Sequence, residues 1–126
     1  MIPSLKSYKK IIGTAEYDLI REKSVKLKSK SIVNINATAY GGGVAEILNN
    51  LVYLMNDLGI NAGWRVILGS HSFFKITKSI HNSLQGQEWK FDRNRQRLYL
   101  EYCKRNSIIN HLNHHDFIVV HDPQPL

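Results

Sequence analysis

Long apolar runs, paired cysteines and the familiar nucleotide-binding fingerprints are all missing from this chain of 126 residues. Cys103 is its single cysteine, which excludes an internal disulfide and fits a reducing compartment. No segment approaches the ~20 apolar residues that a membrane span requires. The basic N-terminus also lacks the apolar core of a secretory signal, so a soluble cytoplasmic protein with no membrane role is expected. There is no G-x-G-x-x-G, no Walker lysine at a helix start and no G-x-S-x-G elbow. A dinucleotide fold should also carry an acidic ribose ligand ~20 residues after its glycines, and none is obvious here. Internal repeats and low-complexity tracts are absent too. His111, His114 and His115, with Asp116 beside them, have helical metal spacing, but no cysteine or carboxylate pattern completes a zinc motif. A polar helix end is the simpler reading, and no metal ligand set is assigned.

Charge is present in excess but unevenly. The net charge is +7, and residues 1–30 hold eight Lys or Arg against three acids, leaving nine against seven in residues 31–126. Arg93, Arg95 and Arg97 form a second short cluster alternating with polar residues rather than stacking aromatics. Such segments are more often solvated faces than phosphate-tracking grooves, so nucleic acid is not the expected partner. The length suits one domain with a buried core. The expected organisation is a basic N-terminal arm with a helix over 1–30 and a Rossmann-like domain over 31–126.

Within the arm, Tyr8 to Gly13 reads as extended or turn and Thr14 to Lys28 as a helix capped by Thr14. Ser31 to Asn36 reads as a strand. Val44, Ile47, Leu48, Leu51, Val52, Met55 and Leu58 follow the 3.6-residue spacing of a helix ending before Gly59. A second strand is predicted at about 62–68, with Trp64, Val66 and Leu68 alternating against Arg65 and Ile67. A helix over 72–84 should bury Phe73, Ile76, Thr77, Ile80 and Leu84. Another, over 92–112, should bury Tyr99, Tyr102, Ile109 and Leu112. Phe117 to Val120 is a continuous apolar run, as in a strand covered on both faces. The order β-α-β-α-α-β predicts an α/β fold with a parallel sheet and crossover helices. Three strands make a small sheet, so the chain reads as an incomplete domain, and an uncovered apolar edge predicts a homo-oligomer.

The richest feature is Gly41-Gly42-Gly43 between the first strand and its helix. Glycine turns let a backbone approach a ligand closely, and the following helix start offers unpaired N–H groups to an anion. A tight βα turn explains the same residues without any ligand. His121 and Asp122 follow the last strand, with Pro123 and Pro125 fixing the loop, a good way to aim an imidazole and a carboxylate into a cleft. An ordinary Asp-Pro turn is the plain alternative. Lys78, His81 and Asn82 share one helical face, either as a cation with two hydrogen-bonding groups or as a solvated surface. Cys103, flanked by Tyr102 and Lys104, reads as packing rather than a nucleophile.

Three separated motifs occur in order: Asn36-x-Thr38-Ala39-x-Gly41-Gly42-Gly43-Val44-Ala45-Glu46, then Gly69 with Phe73 to Gly86, then His121-Asp122-Pro123-Gln124-Pro125. Together they resemble the N-terminal part of trehalose synthases of the glycosyltransferring type, which are retaining GT-B glycosyltransferases related to trehalose phosphorylases. Ala37 departs from the serine that this family usually carries. The resemblance implies a partial N-terminal GT-B domain on the acceptor side, and transfer of glucose from a nucleoside-diphosphate glucose to glucose. Gly41, Gly42 and Gly43 would meet the donor diphosphate. Asp122 and His121 would contact the sugars near the reacting carbon. Gln124, Lys78, His81, Asn82 and, more weakly, Glu46 would line the acceptor pocket. The resemblance implies no tightly bound cofactor; a divalent metal is compatible with a diphosphate donor but not indicated. It implies a missing C-terminal nucleotide-binding domain or a partner chain carrying it, and no activity in isolation. A sugar- or phosphate-binding module without catalysis, or a basic interaction domain acting through residues 1–30, are the alternatives.

Overall fold

The structure is a computed structural model that describes residues 3–90, 92–122 and 124–125. Its frame is an all-parallel sheet of β1 (Ser31–Asn36), β2 (Asn61–Val66) and β3 (Phe117–Val120), in the order β2-β1-β3. Helices α1 (Leu5–Val25), α2 (Gly43–Asp57), α3 (His71–Leu84) and α4 (Arg93–Ile109) flank it, with one 3-10 turn at Leu112–His114. The expected α/β class and parallel sheet are therefore seen.

As the central strand, β1 is buried from Ile32 through Asn36. Side chains alternate across a sheet, so Val33 and Ile35 share one face, where they pack with Ile67 and Phe73. The Phe73 ring stacks on Tyr102 at 4.8 Å and on Tyr99 at 6.2 Å between centroids. Burial, and then the neighbouring Cys103, push the Tyr99 hydroxyl up to about 12. Gly69 has a steric reason: a Cβ there would collide with the Phe73 ring. Ile32, Asn34 and Asn36 project to the opposite face. On α2, which packs across β1 and β2, Ala45 and Leu48 are fully buried.

Four expectations need correction. Tyr8 to Ile12 are helical rather than extended, because α1 already begins at Leu5. Gly13 (φ 83°, ψ 166°) is non-helical and divides α1 into two helical segments, the second of which starts at Thr14 as expected. The first turn is held by a tertiary bond that local sequence does not show: the Leu5 N–H donates to Asp57 Oδ2 at the end of α2, 2.9 Å away. The second strand stops at Val66, so Ile67 turns into the core and Leu68 is exposed. Apolar stripes are wider than the surface they cover. Ile47, Leu51, Leu84 and Ile109 are exposed, and the predicted 92–112 helix ends at Ile109. Finally, β3 is not covered on both faces, since Phe117 to Val120 are each 39–48% exposed. β3 is an edge strand paired only with β1 among the described residues.

A carboxylate fixes the start of β3. Asp116 accepts the Ser31 N–H at 2.8 Å and the Lys30 ammonium at 3.2 Å, and these contacts, the Ser31 bond first, hold its carboxyl below the ordinary value.

Candidate functional site at the carboxyl ends of the strands

From β1 the chain crosses to β2 on one side, and it later returns to β3 on the other. The crevice between the carboxyl ends of β1 and β3 is thus the topological switch point, where open α/β sheets take their ligands. The loops that follow these two strands meet there. They enclose a cleft of about 410 Å3 lined by Asn36, Gly41, Gly42, Gly43, Asp122 and Gln124, among others.

One buried amide shapes the first loop. Asn36, 1% exposed, accepts from Trp64 Nε1 (2.7 Å) through Oδ1 and donates from Nδ2 to the Thr38 carbonyl (2.6 Å). Thr38 Oγ1 in turn donates to the Tyr40 carbonyl and accepts the Tyr40 N–H. The chain then enters α2 through Gly41 (φ 72°) and Gly42 (φ 83°, ψ 152°), the latter in a region open essentially to glycine alone. Gly42 caps α2 with no side-chain bond, and the Glu46 N–H reaches back to its carbonyl at 3.4 Å. The N–H groups of Gly43, Val44 and Ala45 therefore have no intrahelical acceptor. A Cβ on any of the three glycines would meet nothing within 4 Å, so the space above the loop is open. Amides and a helix start facing open space suit an anion. No lysine or arginine lines this cleft among the described residues.

The second loop is set by Asn34, 2% exposed. The His121 N–H extends the ladder to the Ile35 carbonyl (2.8 Å), and its ring Nε2 lies 3.0 Å from Asn34 Oδ1. Asn34 Nδ2 faces the Gly63 carbonyl at 3.3 Å. A carbonyl only accepts, so the amide nitrogen must point to Gly63 and the amide oxygen to His121. Nε2 therefore carries a proton, and the neutral tautomer that this bond selects has its lone pair on Nδ1. Asp122 is exposed and takes a left-handed backbone (φ 67°), which aspartate tolerates better than most residues. Gln124 lines this cleft and also a smaller cavity of about 200 Å3 beside Cys103 and Asn110. Pro123, expected to stiffen the loop, lies outside the described residues.

The two loops thus bring together Gly41, Gly42, Gly43, Asp122 and Gln124, with His121 behind them. Glu46 sits in the first turn of α2, exposed and outside the set that lines the cleft. Lys78 and Asn82 line a different cleft, between α3 and α4, that shares no lining residue with the first. His81 accepts from Gln85 at 3.1 Å, and its Nδ1 is buried with no partner among the described residues. The histidines near 111–115 serve the fold. His111 and His114 stack at 5.5 Å, and His115 Nδ1 bonds Ser31 Oγ at 2.8 Å. Among the described residues no group of three or more His, Cys, Asp or Glu could hold a metal ion. Asn34, Asn36 and Trp64 were not among the expected site residues. Their signal was available, since Asn34 and Asn36 interrupt an apolar strand at alternate positions, on one face.

A parallel sheet with flanking helices and a glycine loop and a carboxylate lining the cleft at its switch point defines an α/β domain of the Rossmann-like kind. Residues 34–126 match the family described as trehalose synthase, N-terminal domain, and the chain belongs to that family. It is 48% identical over 122 residues to trehalose synthase of Thermococcus litoralis, covering 96% of this chain and 30% of that protein. With trehalose synthase of Rubrobacter xylanophilus it shares 37% identity over 124 residues, 97% of this chain and 30% of that protein. Trehalose phosphorylase of Grifola frondosa is 31% identical over 88 residues, 68% of this chain and 12% of that protein. The chain spans about 30% of the length of the curated trehalose synthases it matches.

Proposed function

We propose that this chain supplies the acceptor side of a transfer site that moves glucose from a nucleoside-diphosphate glucose to glucose, forming trehalose with retention. The observation that carries the reading is the convergence of the glycine loop with Asp122 and Gln124 in one open cleft, in a chain of this family. Gly41, Gly42 and Gly43 would receive the donor diphosphate, whose charge grows as its bond to the sugar C1 breaks. The acceptor hydroxyl oxygen bonds C1 on the same face, and its proton passes to the departing phosphate oxygen. Asp122 and the Nδ1 lone pair of His121 would accept hydrogen bonds from sugar hydroxyls near that carbon, as binding and electrostatic groups rather than nucleophiles. Gln124 and Glu46 would address acceptor hydroxyls, and Lys78, His81 and Asn82 an outer part of the acceptor path. No cation lines the cleft among the described residues, so a second domain or partner chain would hold the nucleotide and balance the diphosphate charge, with the metal, if any, entering with the donor. No helix described here is long and apolar enough to cross a membrane, and the reading places the protein in the cytoplasm.

Trehalose formation from nucleoside-diphosphate glucose and glucose tests this, using the chain alone and mixed with the C-terminal part of a related trehalose synthase. Product in the mixture only is the expected result. Glucose binding by calorimetry without product in either case would favour a sugar-binding module, and neither product nor binding would end the assignment.

The half-exposed β3 supports a second proposal, that the isolated chain self-associates through this edge. Sedimentation equilibrium is expected to show dimers that Ile118→Lys with Val120→Lys disperses. A monomer at all concentrations for the parent chain would sink this reading.

A further inference from the structure

A second groove, larger than the glycine-loop cleft, opens between α3 and α4; it has a volume of about 700 Å3 and is walled by Lys75, Lys78, Asn82, Trp89, Asn94 and Arg95. Its charge is opposite in character to that of the first cleft. Three cationic side chains converge here, whereas the glycine-loop cleft has none among the described residues and contains Asp122.

Arg95 is already held in place. Its Nε lies 3.2 Å from Asp92 Oδ2, one terminal nitrogen donates to the Lys90 carbonyl at 3.2 Å, and the guanidinium carbon sits 5.9 Å above the Trp89 ring. Asp92 itself caps α4 by accepting the Arg95 N–H at 2.9 Å. A guanidinium fixed this way loses little freedom when it meets a phosphate. Lys75 and Lys78 stand one turn apart on α3 and supply point charges on exposed, adjustable stems. Beyond charge, the groove offers two carboxamides, an indole and the apolar side chains of Ile76 and Leu98. Amides read hydroxyl groups in both donor and acceptor directions, and an indole covers the C–H face of a sugar ring.

We infer that the α3–α4 groove is a second binding site, and that it takes a phosphorylated hexose, with phosphate on Lys75, Lys78 and Arg95 and the sugar against Trp89, Asn82 and Asn94. The inference shares Lys78 and Asn82 with the proposed function, which places them along the acceptor path, and it needs no transfer chemistry. Arg95 is already paired with Asp92, but a neutral sugar would bring no anion to Lys75 and Lys78, and bare phosphate would not engage the carboxamides of Asn82 and Asn94.

The chain contains two tryptophans, and their indole N–H signals report separate places: Trp89 in the groove, and Trp64 through Asn36 on the glycine loop. Nitrogen-15 NMR titration of the chain with glucose 6-phosphate, glucose and inorganic phosphate is the test. Glucose 6-phosphate is expected to move the Trp89 signal, leave Trp64 in place, and bind about tenfold or more tightly than either glucose or phosphate. Lys75→Ser with Lys78→Ser, both at exposed positions, should weaken it by a similar factor while the spectrum stays dispersed. Equal affinity for inorganic phosphate, movement of Trp64 instead, or preference for a single-stranded oligonucleotide would each overturn the assignment. Trehalose formation by the parent chain mixed with the C-terminal part is measured apart from these titrations, so failure of this assignment is distinguishable from failure of the proposed function.

Discussion

Gly42→Ala is expected to remove anion binding at the loop and to lower the stability of the chain by about 1–3 kcal/mol. The cause is conformational rather than steric. A Cβ at position 42 would meet nothing within 4 Å, yet the backbone there has φ 83° and ψ 152°, which an L side chain occupies only under strain. Relief of that strain rotates the Gly42 carbonyl, which accepts from Glu46, and with it the first turn of α2. The start of α2, where the N–H groups of Gly43 and Val44 border the cleft without an intrahelical acceptor, then shifts. Gly43→Ala separates the two effects. Gly43 is the first residue of α2 with no positive φ, so alanine should leave stability unchanged or raise it by up to about 1 kcal/mol, while its methyl stands in the space a diphosphate needs. Urea unfolding gives the stabilities, and amide shifts of residues 41–46 on adding pyrophosphate or UDP-glucose give the binding. A Gly42→Ala chain whose loop amides respond as the parent's do would refute the role assigned to this loop.

The same loop shows what could be read in advance and what could not. β1 and the glycine turn were legible because both signals are local: an apolar strand flanked by polar residues, then glycines, then a helical stripe. The switch-point cleft was half legible, since loops at strand ends are expected to converge, although only the order β2-β1-β3 decides which ends adjoin. α1 was misread at its start because its first N–H is capped by Asp57, fifty-two positions away. β3 was misread because an unbroken apolar run says that a strand seeks cover, not that the residues described here provide it. The grouping of Lys78 with Trp89 and Arg95 depends on how α3 packs against α4, which the periodicity of either helix leaves open. Asn34 and Asn36 carried a signal of another kind. A carboxamide in the middle of a buried strand costs stability unless its bonds are made, so each implied partners before any could be named.

Asn34→Leu is the variant in which those partners are removed at the site. Leucine is close in volume, so β1 should keep its register opposite Trp64 and Val119. Two polar groups lose their bonds to the amide, however: the Gly63 carbonyl and the Nε2–H of His121. An unsatisfied buried group costs about 1–3 kcal/mol, so a net loss of about 2 kcal/mol is expected by urea unfolding. Loss of stability alone would not distinguish a structural amide from one that positions the imidazole. The tautomer does. In the parent chain Asn34 holds the proton on Nε2, and nitrogen-15 shifts of the His121 ring above its titration range should show Nδ1 as the unprotonated nitrogen. In Asn34→Leu the two ring nitrogens should report a mixture of tautomers, with the ring no longer fixed. Asn34→Gln, which keeps a carboxamide but moves it by one methylene, should restore neither geometry nor tautomer. Were the ring nitrogens of the leucine variant to match those of the parent, Asn34 would be a packing residue and His121 would be oriented by its backbone bond to Ile35 alone.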